Sequence, residues 1–336
     1  MRATPTKSLI LLGLSASLFL AACGGDDAST PEASTSAVPS ASATPSASPS
    51  PSAAEVATSD NFDKVSVSGD YGKSPKVSVK KPFAIDKTRT KVLEKSDGPV
   101  VQAGQTVSVN YYGVDGRTGE KFDESFSGGQ PVAFSLDQVV PGFSKGLTGQ
   151  RKGSRVVIAM PGSDGYDASG GNAEAGIEVG DTLVFVVDIV DVQLSEPSGS
   201  EVAPKAGLPT VTGSLDKPEI EIPKTDPPTK LVAQPLIKGD GKKVGPTDTV
   251  TFNYRWEIWQ DGRLVEQSYG QKPGSSQLSG LVKGIQEGLT GQTVGSRVLL
   301  VIPPEKGYPE GNAEPKVNKG ETLVMVVDLL FSQAGQ

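Results

Sequence analysis

The sequence contains no histidine among its 336 residues and only one cysteine, Cys23. Without histidine there is no Ser-His-Asp or Cys-His catalysis, no histidine-ligated metal site and no imidazole base working near neutral pH. A single cysteine cannot form a disulfide within the chain. Basic residues are outnumbered by acidic ones, 32 to 39, and the resulting net charge of −7 disfavours nucleic-acid binding. Any catalysis by this chain must therefore work without a proton shuttle of the histidine kind.

The N-terminus carries an apolar run, Leu9 to Leu20, that follows Arg2 and Lys7. This run is too short to span a bilayer comfortably as a permanent helix, and small residues follow it, as in a secretory signal. Residues 1–22 are therefore predicted to be an export signal that is cleaved near Cys23.

The four residues that end at Cys23 read Leu-Ala-Ala-Cys. They resemble the lipobox of bacterial lipoproteins, in which the cysteine becomes the lipid-bearing N-terminus. The resemblance implies an exported protein that is anchored by lipid to the outer face of the bacterial cytoplasmic membrane. The alternative is an ordinary secretory signal followed by an unpaired thiol, which is uncommon in an exported protein.

Residues 23–59 consist mainly of Ala, Ser, Pro and Thr. Such a segment cannot bury enough apolar surface to offset the entropy of ordering, so we predict a disordered tether. By square-root scaling, roughly 35 such residues reach about 30 Å. That reach would lift a folded domain clear of a membrane.

The remaining sequence repeats itself with an offset of about 140 residues. A solenoid needs at least three stacked repeats, so two tandem globular domains are the simplest interpretation. The matching blocks are Thr106–Tyr111 with Thr249–Tyr254, Gly146–Gln150 with Gly288–Gln292, Gly153–Arg155 with Gly295–Arg297, Gly171–Glu174 with Gly311–Glu314, and Thr182–Asp188 with Thr322–Asp328.

The domain boundaries follow from the composition of the joint between the two copies. The segment Ser195 to Pro209 has no periodicity and is rich in Ser, Pro and Gly. We therefore predict domain 1 at residues 60–195, a linker at 196–208 and domain 2 at 209–336. Two segments upstream of the main motifs, Ser74–Val79 and Lys217–Ile222, have strand-like patterns that match each other.

Each copy contains short strands with alternating or β-branched residues, frequent glycine turns and one short helical pattern. Val107, Val109 and Tyr111 alternate in one such strand, and the helical pattern runs from Val140 to Leu147. These features predict an α+β domain dominated by antiparallel sheet.

Several motifs occur in a fixed order in the first copy. They are V-x-Y-x-G, D-G-x-x-x-x-K-F-D, V-x-P-G-F-x-x-G-L, G-S-R, G-Y and T-L-V-F, and they lie between Val109 and Phe185. This combination resembles the FK506-binding-protein family of peptidyl-prolyl cis-trans isomerases. The resemblance implies two tandem FKBP-like domains, each a twisted antiparallel β-sheet wrapped around a short α-helix, and isomerase activity on X-Pro bonds.

The resemblance also places the family's pocket on the first copy. Val132 stands where the family has an aromatic wall, and Phe143 stands where a larger Trp floor is common. Further substrate contacts are expected at Val132 and Phe134. The residues expected to form the catalytic pocket are Tyr111, Phe122, Asp123, Val139, Val140, Phe143, Tyr166 and Phe185.

The implied chemistry suits a chain without histidine. Rotation about an X-Pro bond faces a barrier of about 18–20 kcal/mol from amide resonance, and it requires neither a proton nor a nucleophile. An aromatic pocket would favour the twisted amide, while Tyr166 and Asp123 would orient the substrate. Proline fits such a slot because its ring is apolar and its φ angle is fixed.

The second copy has a different set of residues at the equivalent positions. Tyrosines are kept, but smaller side chains replace several rings, so we expect weaker catalysis or none. The residues of this degenerate second pocket are Tyr254, Val265, Glu266, Gly274, Ile285, Tyr308 and Met325.

No cofactor or metal is expected. The loop at residues 164–181 contains acids and glycines, but it lacks the D-x-[DN]-x-[DN]-G spacing of a calcium loop. The expected partners are proline-containing polypeptides, FK506-like macrolides through the family resemblance, and a membrane through the lipid anchor. The alternative function is a non-catalytic chaperone or surface adhesion module that holds proline-containing segments.

Overall fold

Six antiparallel strands form the main sheet of the first domain in the computed structural model, which describes residues 58–335. The order is β3-β7-β8-β4-β5, and β6 also pairs with β4. The predicted α+β class with two tandem domains is confirmed, whereas the predicted export signal, Cys23 and nearly all of the predicted tether lie outside the described residues. The strands are β3 (Arg89–Glu94), β4 (Thr106–Asp115), β5 (Lys121–Glu124), β6 (Val132–Ser135), β7 (Arg155–Met160) and β8 (Leu183–Val192).

The central strands of this sheet are buried on both faces. Every residue of β7, which reads RVVIAM, is buried, and so are the first seven residues of β8. Ile158 and Phe185 point into a core that includes the helix, while Val157 and Val184 belong to a second cluster on the opposite face. A continuous run of β-branched residues suits such a strand, because each face of the sheet needs an apolar cover.

A short helix, α1 (Pro141–Leu147), covers the inner face of the sheet. Proline at its first position costs no hydrogen bond, since that N–H has no partner within a helix. Gly146 faces strand β7 so closely that an added Cβ would lie 2.6 Å from the Cγ2 atom of Ile158. The absence of a side chain at Gly146 thus lets the helix lie against the sheet and brings Phe143 into the core.

A hairpin of β1 (Val65–Ser68) and β2 (Lys76–Val79) covers the outer face. Arg155 lies beneath its turn and forms a bidentate ion pair with Asp188, at 2.5 and 2.7 Å, with both side chains almost fully buried. The same guanidinium donates to the carbonyl oxygens of Gly69, at 2.6 Å, and Lys73, at 2.7 Å. One buried ion pair therefore joins β7, β8 and the hairpin.

The second domain repeats this arrangement with its own hairpin, β10 (Thr210–Ser214) and β11 (Lys217–Glu221), and helix, α2 (Lys283–Leu289). Arg297 and Asp328 form the corresponding buried ion pair, and Leu215 accepts from the guanidinium at 2.6 Å. The strands of its seven-stranded sheet are β9 (Gly199–Glu201), β12 (Val232–Gly239), β13 (Thr249–Ile258), β14 (Leu264–Gln267), β15 (Gly274–Gln277), β16 (Arg297–Ile302) and β17 (Leu323–Gln333).

The joint between the domains, where the sequence predicts a linker at 196–208, contains a short strand. Strand β9 lies within it and pairs with β12 at the sheet edge, where Lys238 is opposite Ser200. Just before it, the backbone N–H of Leu194 donates to the carbonyl of Leu330 at 2.9 Å. An exposed edge strand is held by backbone hydrogen bonds alone, so its side chains need no apolar alternation and the sequence pattern shows no strand.

Within residues 58–335, no helix has the length and apolar character needed to cross a membrane. Helices α1 and α2 have seven residues each.

Candidate active site

Three buried aromatic side chains from three elements meet in the first domain. Tyr111 on β4, Phe143 on α1 and Phe185 on β8 are each less than 5% exposed. The ring centroid of Phe185 lies 4.6 Å from that of Phe143 and 6.2 Å from that of Tyr111, and both contacts are edge-on. Edge-on contacts are a favoured geometry of aromatic pairs and hold the rings in fixed positions. Together these rings form the floor of an apolar site.

Two further rings and two valines surround this floor. Phe122 packs edge-on against Phe185 at 5.4 Å, and Phe134 packs against Phe143 at 5.5 Å. Val139 and Val140, at the start of α1, are partly buried against the same cluster. These side chains stay partly exposed, so they line the opening of the apolar site.

A hydrogen bond between a phenol and a carboxylate lies beside the rings. The hydroxyl of Tyr111 donates to Oδ2 of Asp123 at 2.6 Å, while Oδ1 of Asp123 accepts the N–H of Glu124 at 2.8 Å. Burial, and then the hydrogen bond to Asp123, raise the pKa of the Tyr111 phenol above its ordinary value. Tyr111 thus remains protonated at neutral pH and keeps the carboxylate oriented.

Tyr166 enters the site from the loop that follows β7. It is partly buried against the aromatic cluster, between two short 3₁₀ turns at Gly162–Asp164 and Asp167–Ser169. Burial raises the pKa of its phenol, and the negative charge of Asp123 adds to the effect. Tyr166 is therefore a neutral hydroxyl group close to a carboxylate at the edge of an apolar pocket.

The equivalent residues of the second domain lie on the same elements of the fold but make different contacts. The Tyr254 hydroxyl donates to Oε1 of Glu266 at 2.8 Å, but this pair is exposed. Burial of the ring and the bond to Glu266 raise the pKa of Tyr254 to about 12. Ile285 and Met325 are buried, while Tyr308 and Val265 are partly buried against the same core; Gly274 begins strand β15 beside the Tyr254 ring.

The family model described as "FKBP-type peptidyl-prolyl cis-trans isomerase" matches this chain twice, at residues 98–190 and 241–330. The chain belongs to this family. Each match covers the helix and most of the main sheet of one domain; the hairpins β1–β2 and β10–β11 and the strands β3, β9 and β12 lie outside the matched residues. The predictions of an FKBP-type isomerase enzyme and of two tandem FKBP-like domains are thereby confirmed.

Individual relatives match segments of about one FKBP domain. A protein of Streptomyces anulatus named "FK506-binding protein" is 43% identical over 104 residues, which cover 30% of this chain and 83% of the relative. A "Probable FK506-binding protein" of Corynebacterium glutamicum is 37% identical over 118 residues, which cover 34% of this chain and 98% of the relative. The "FKBP-type peptidyl-prolyl cis-trans isomerase FkpA" of Escherichia coli is 36% identical over 104 residues, 30% of this chain and 36% of the relative.

Most of the residues expected from the sequence come together in the first FKBP domain, but Val132 does not. It lies on β6 opposite Val109, is 38% exposed and does not belong to the aromatic cluster. Phe134, two residues further on, faces the cluster instead. Residues two apart in a strand share a face, so Val132 and Phe134 point the same way. Val132 lies outside the cluster because it is at the end of the strand.

Two residues of the FKBP domains lie beside the pocket rings but were not among the site residues expected from the sequence. Gly113 lies on β4 directly opposite Phe185, and a Cβ added to it would lie 2.6 Å from Cζ of Phe122. Its equivalent in the second domain is Trp256, which lies opposite Met325 and joins the core there. Aligning the two repeats onward from Thr106 and Thr249 would have paired this glycine with this tryptophan.

Substitution of Gly113 by alanine is expected to displace the Phe122 ring and to lower kcat/KM for an X-Pro peptide by roughly tenfold. Overpacking of this kind typically costs about 1–3 kcal/mol, and about 1.4 kcal/mol is tenfold in rate. Gly128→Ala is the matched control, because an added Cβ there meets no atom within 4 Å. Equal activities for the two variants would show that the Phe122 ring needs no fixed position.

Proposed function

We propose that the first FKBP domain catalyses cis-trans rotation of X-Pro bonds in exported polypeptides and assists their folding. The proposal rests mainly on one observation, the apolar pocket of Tyr111, Phe122, Phe143 and Phe185 with the Asp123 carboxylate held at its wall. This combination offers an apolar slot for a prolyl ring and a polar group for the adjoining backbone. It contains no group that must gain or lose a proton during the reaction.

The pocket would act on the resonance of the amide bond. A planar X-Pro amide has a large dipole, which the twisted transition state loses together with the resonance. Rings such as Phe143 and Phe185 cannot solvate that dipole, so they favour the twisted form relative to the planar one. The enzyme then binds the transition state more strongly than the ground state, which is the condition for a higher rate.

The polar groups of the pocket would position the substrate. Asp123 is held by the Tyr111 hydroxyl and by the Glu124 N–H, so its free lone pairs can accept substrate N–H groups in a defined direction. The neutral hydroxyl of Tyr166 can donate to a substrate carbonyl. Fixing the peptide on both sides of proline makes rotation at one bond more probable than motion of the whole ligand.

An isomerisation assay of the full chain tests this function. A proline tetrapeptide should exchange between cis and trans faster in the presence of the chain, and a macrolide of the FK506 type should inhibit the exchange by competing for the pocket. The name of the Streptomyces relative supports the choice of inhibitor. An exchange rate equal to that of buffer, with the peptide still bound, would instead favour the non-catalytic chaperone or adhesion module.

The proposal also includes the cellular location of the protein. We propose export and lipid anchoring on the outer face of the bacterial cytoplasmic membrane, supported by the apolar run Leu9 to Leu20 and the Leu-Ala-Ala-Cys sequence at Cys23. The partners would then be unfolded exported chains, and the excess of acidic residues, 39 to 32, opposes nucleic acid as a further partner.

Cys23→Ala is expected to block lipidation and to shift the protein from the membrane fraction to the soluble fraction. The lipidated thiol is lost, and without a lipid chain the predicted anchor has no apolar group to insert. Mass spectrometry of the mature N-terminus, together with fractionation, measures both effects. An unmodified N-terminus in the wild-type protein would disprove the anchor, and the isomerase assay would be unaffected by that result.

A further inference from the structure

At two neighbouring positions, the first FKBP domain has a small and a large side chain where the second has a large and a small one. In the first, Gly113 leaves space that the ring of Phe122 occupies. In the second, Trp256 stands at the glycine position and Val265 at the phenylalanine position. The indole enters the core from strand β13, opposite Met325, and lies 6.3 Å from the ring of Tyr308. The second pocket is therefore rebuilt around a different aromatic ring, and its aromatic character is not simply lost.

The indole of Trp256 differs from that of Trp259 in its hydrogen bonding. Trp259 belongs to the cluster on the opposite face of the sheet, and its Nε1–H donates to the carbonyl of Thr225 at 2.9 Å. Trp256 is only 5% exposed, yet its Nε1–H has no acceptor among residues 58–335. Buried N–H groups are almost always paired, because an unpaired one loses its bond to water without compensation.

We propose that the Nε1–H of Trp256 is a hydrogen-bond donor for the carbonyl of an X-Pro segment bound in the second FKBP domain. The domain would thus be a binding site for proline-containing chains that complements catalysis by the first domain. Tyr308 and Met325 lie beside the indole, and Val265 and Ile285 belong to the same core cluster. This proposal takes only the class of ligand, proline-containing chains, from the proposed function.

The chemistry of the X-Pro amide explains why proline would be selected. Its carbonyl is an acceptor, but its nitrogen carries no hydrogen. Such an amide can satisfy the indole N–H of Trp256 without bringing an unpaired donor into apolar surroundings, whereas any other peptide bond would leave its own N–H unpaired. The exposed Tyr254–Glu266 pair, at 2.8 Å, can take the remaining N–H groups of the ligand at the rim.

The two tryptophans make a direct test feasible in the full chain. A nitrogen-15-labelled chain should show two indole N–H signals in an NMR spectrum, since the sequence contains two tryptophans. Trp256→Phe and Trp259→Phe assign these signals. Addition of an Ala-Leu-Pro-Phe peptide should shift the Trp256 signal downfield and leave the Trp259 signal in place. Ala-Leu-Ala-Phe, which adds an N–H at the critical bond, should produce little change.

Affinity provides the second measurement. In a Phe122→Ala background, which weakens the first pocket, calorimetry should show that Trp256→Phe lowers affinity for the proline peptide by roughly three- to tenfold, the usual net effect of one hydrogen bond. Trp259→Phe is the matched control and should retain the affinity. An unmoved Trp256 signal, or equal affinity with Trp256→Phe, would overturn the proposal. Neither readout requires turnover, so a failure of the proposed catalysis would be seen separately in the isomerase assay.

Discussion

Phe122→Ala is expected to lower kcat/KM of the full chain for an X-Pro peptide by roughly ten- to a hundredfold. The Phe122 ring packs at 5.4 Å from Phe185 and fills the space above Gly113. Burial of such a ring is worth about 1.5–3 kcal/mol, and about 1.4 kcal/mol of lost transition-state binding is tenfold in rate. A prolyl ring that contacts the pocket only in part would still lose much of this stabilisation.

The second domain provides a matched control for this substitution. Val265→Ala changes the equivalent position on strand β14, where Trp256 rather than this side chain supplies the aromatic ring, and we expect it to alter kcat/KM less than twofold. The measurement is kcat/KM of both variants on one peptide, with circular dichroism to show that both are folded. Equal losses would mean that the two domains share the catalysis. An undiminished rate in Phe122→Ala would show that the active site lies elsewhere.

Arg155→Ala is expected to destabilise the first domain by about 3–5 kcal/mol, the usual effect of removing one partner of a buried ion pair. Asp188, which is 0% exposed, would lose its cation, and the carbonyls of Gly69 and Lys73 would lose their donor. The hairpin should then separate from the sheet, so the substitution disturbs both the core and its outer cover. Urea unfolding followed by circular dichroism measures the loss.

Fluorescence can separate the two domains in this experiment, because both tryptophans, Trp256 and Trp259, lie in the second. The tryptophan transition should stay in place while the transition of the first domain moves to lower urea. Lys272→Ala, which breaks an exposed ion pair with Asp137 at 2.8 Å, is the surface control and should cost less than about 1 kcal/mol. A change that small for Arg155→Ala would show that water reaches Asp188 and replaces the guanidinium.

Much of the architecture was readable from the sequence, because it depends on short-range patterns. Alternation of Val107, Val109 and Tyr111 shows which side of β4 faces the core, and the pattern from Val140 to Leu147 marks the helix. The repeat of about 140 residues indicates two domains without any knowledge of their contacts. These signals are local, since backbone geometry alone relates each residue to its neighbours in a strand or helix.

The contacts between strands were decided only by the tertiary structure. Alternation assigns a face to Gly113 and to Phe122, but it does not show that the Phe122 ring occupies the space left by Gly113. That contact depends on the register of β4 against its neighbouring strands. The same holds for Trp256: that it replaces a glycine can be interpreted only once the structure shows the smaller Val265 next to it. Counting the rings at equivalent positions therefore missed the indole that the second pocket gains.

Buried polar pairs and edge strands were likewise decided only by the tertiary structure. Arg155 and Asp188 lie 33 positions apart and look like ordinary surface charges in the sequence, yet folding places both in a dry site beneath the hairpin. Strand β9 carries no apolar alternation, since backbone hydrogen bonds to β12 hold it. The sequence by itself determined the family, the repeat and the faces of the elements. The structure decided which side chains share a cavity, because that depends on register and packing between segments far apart in the chain.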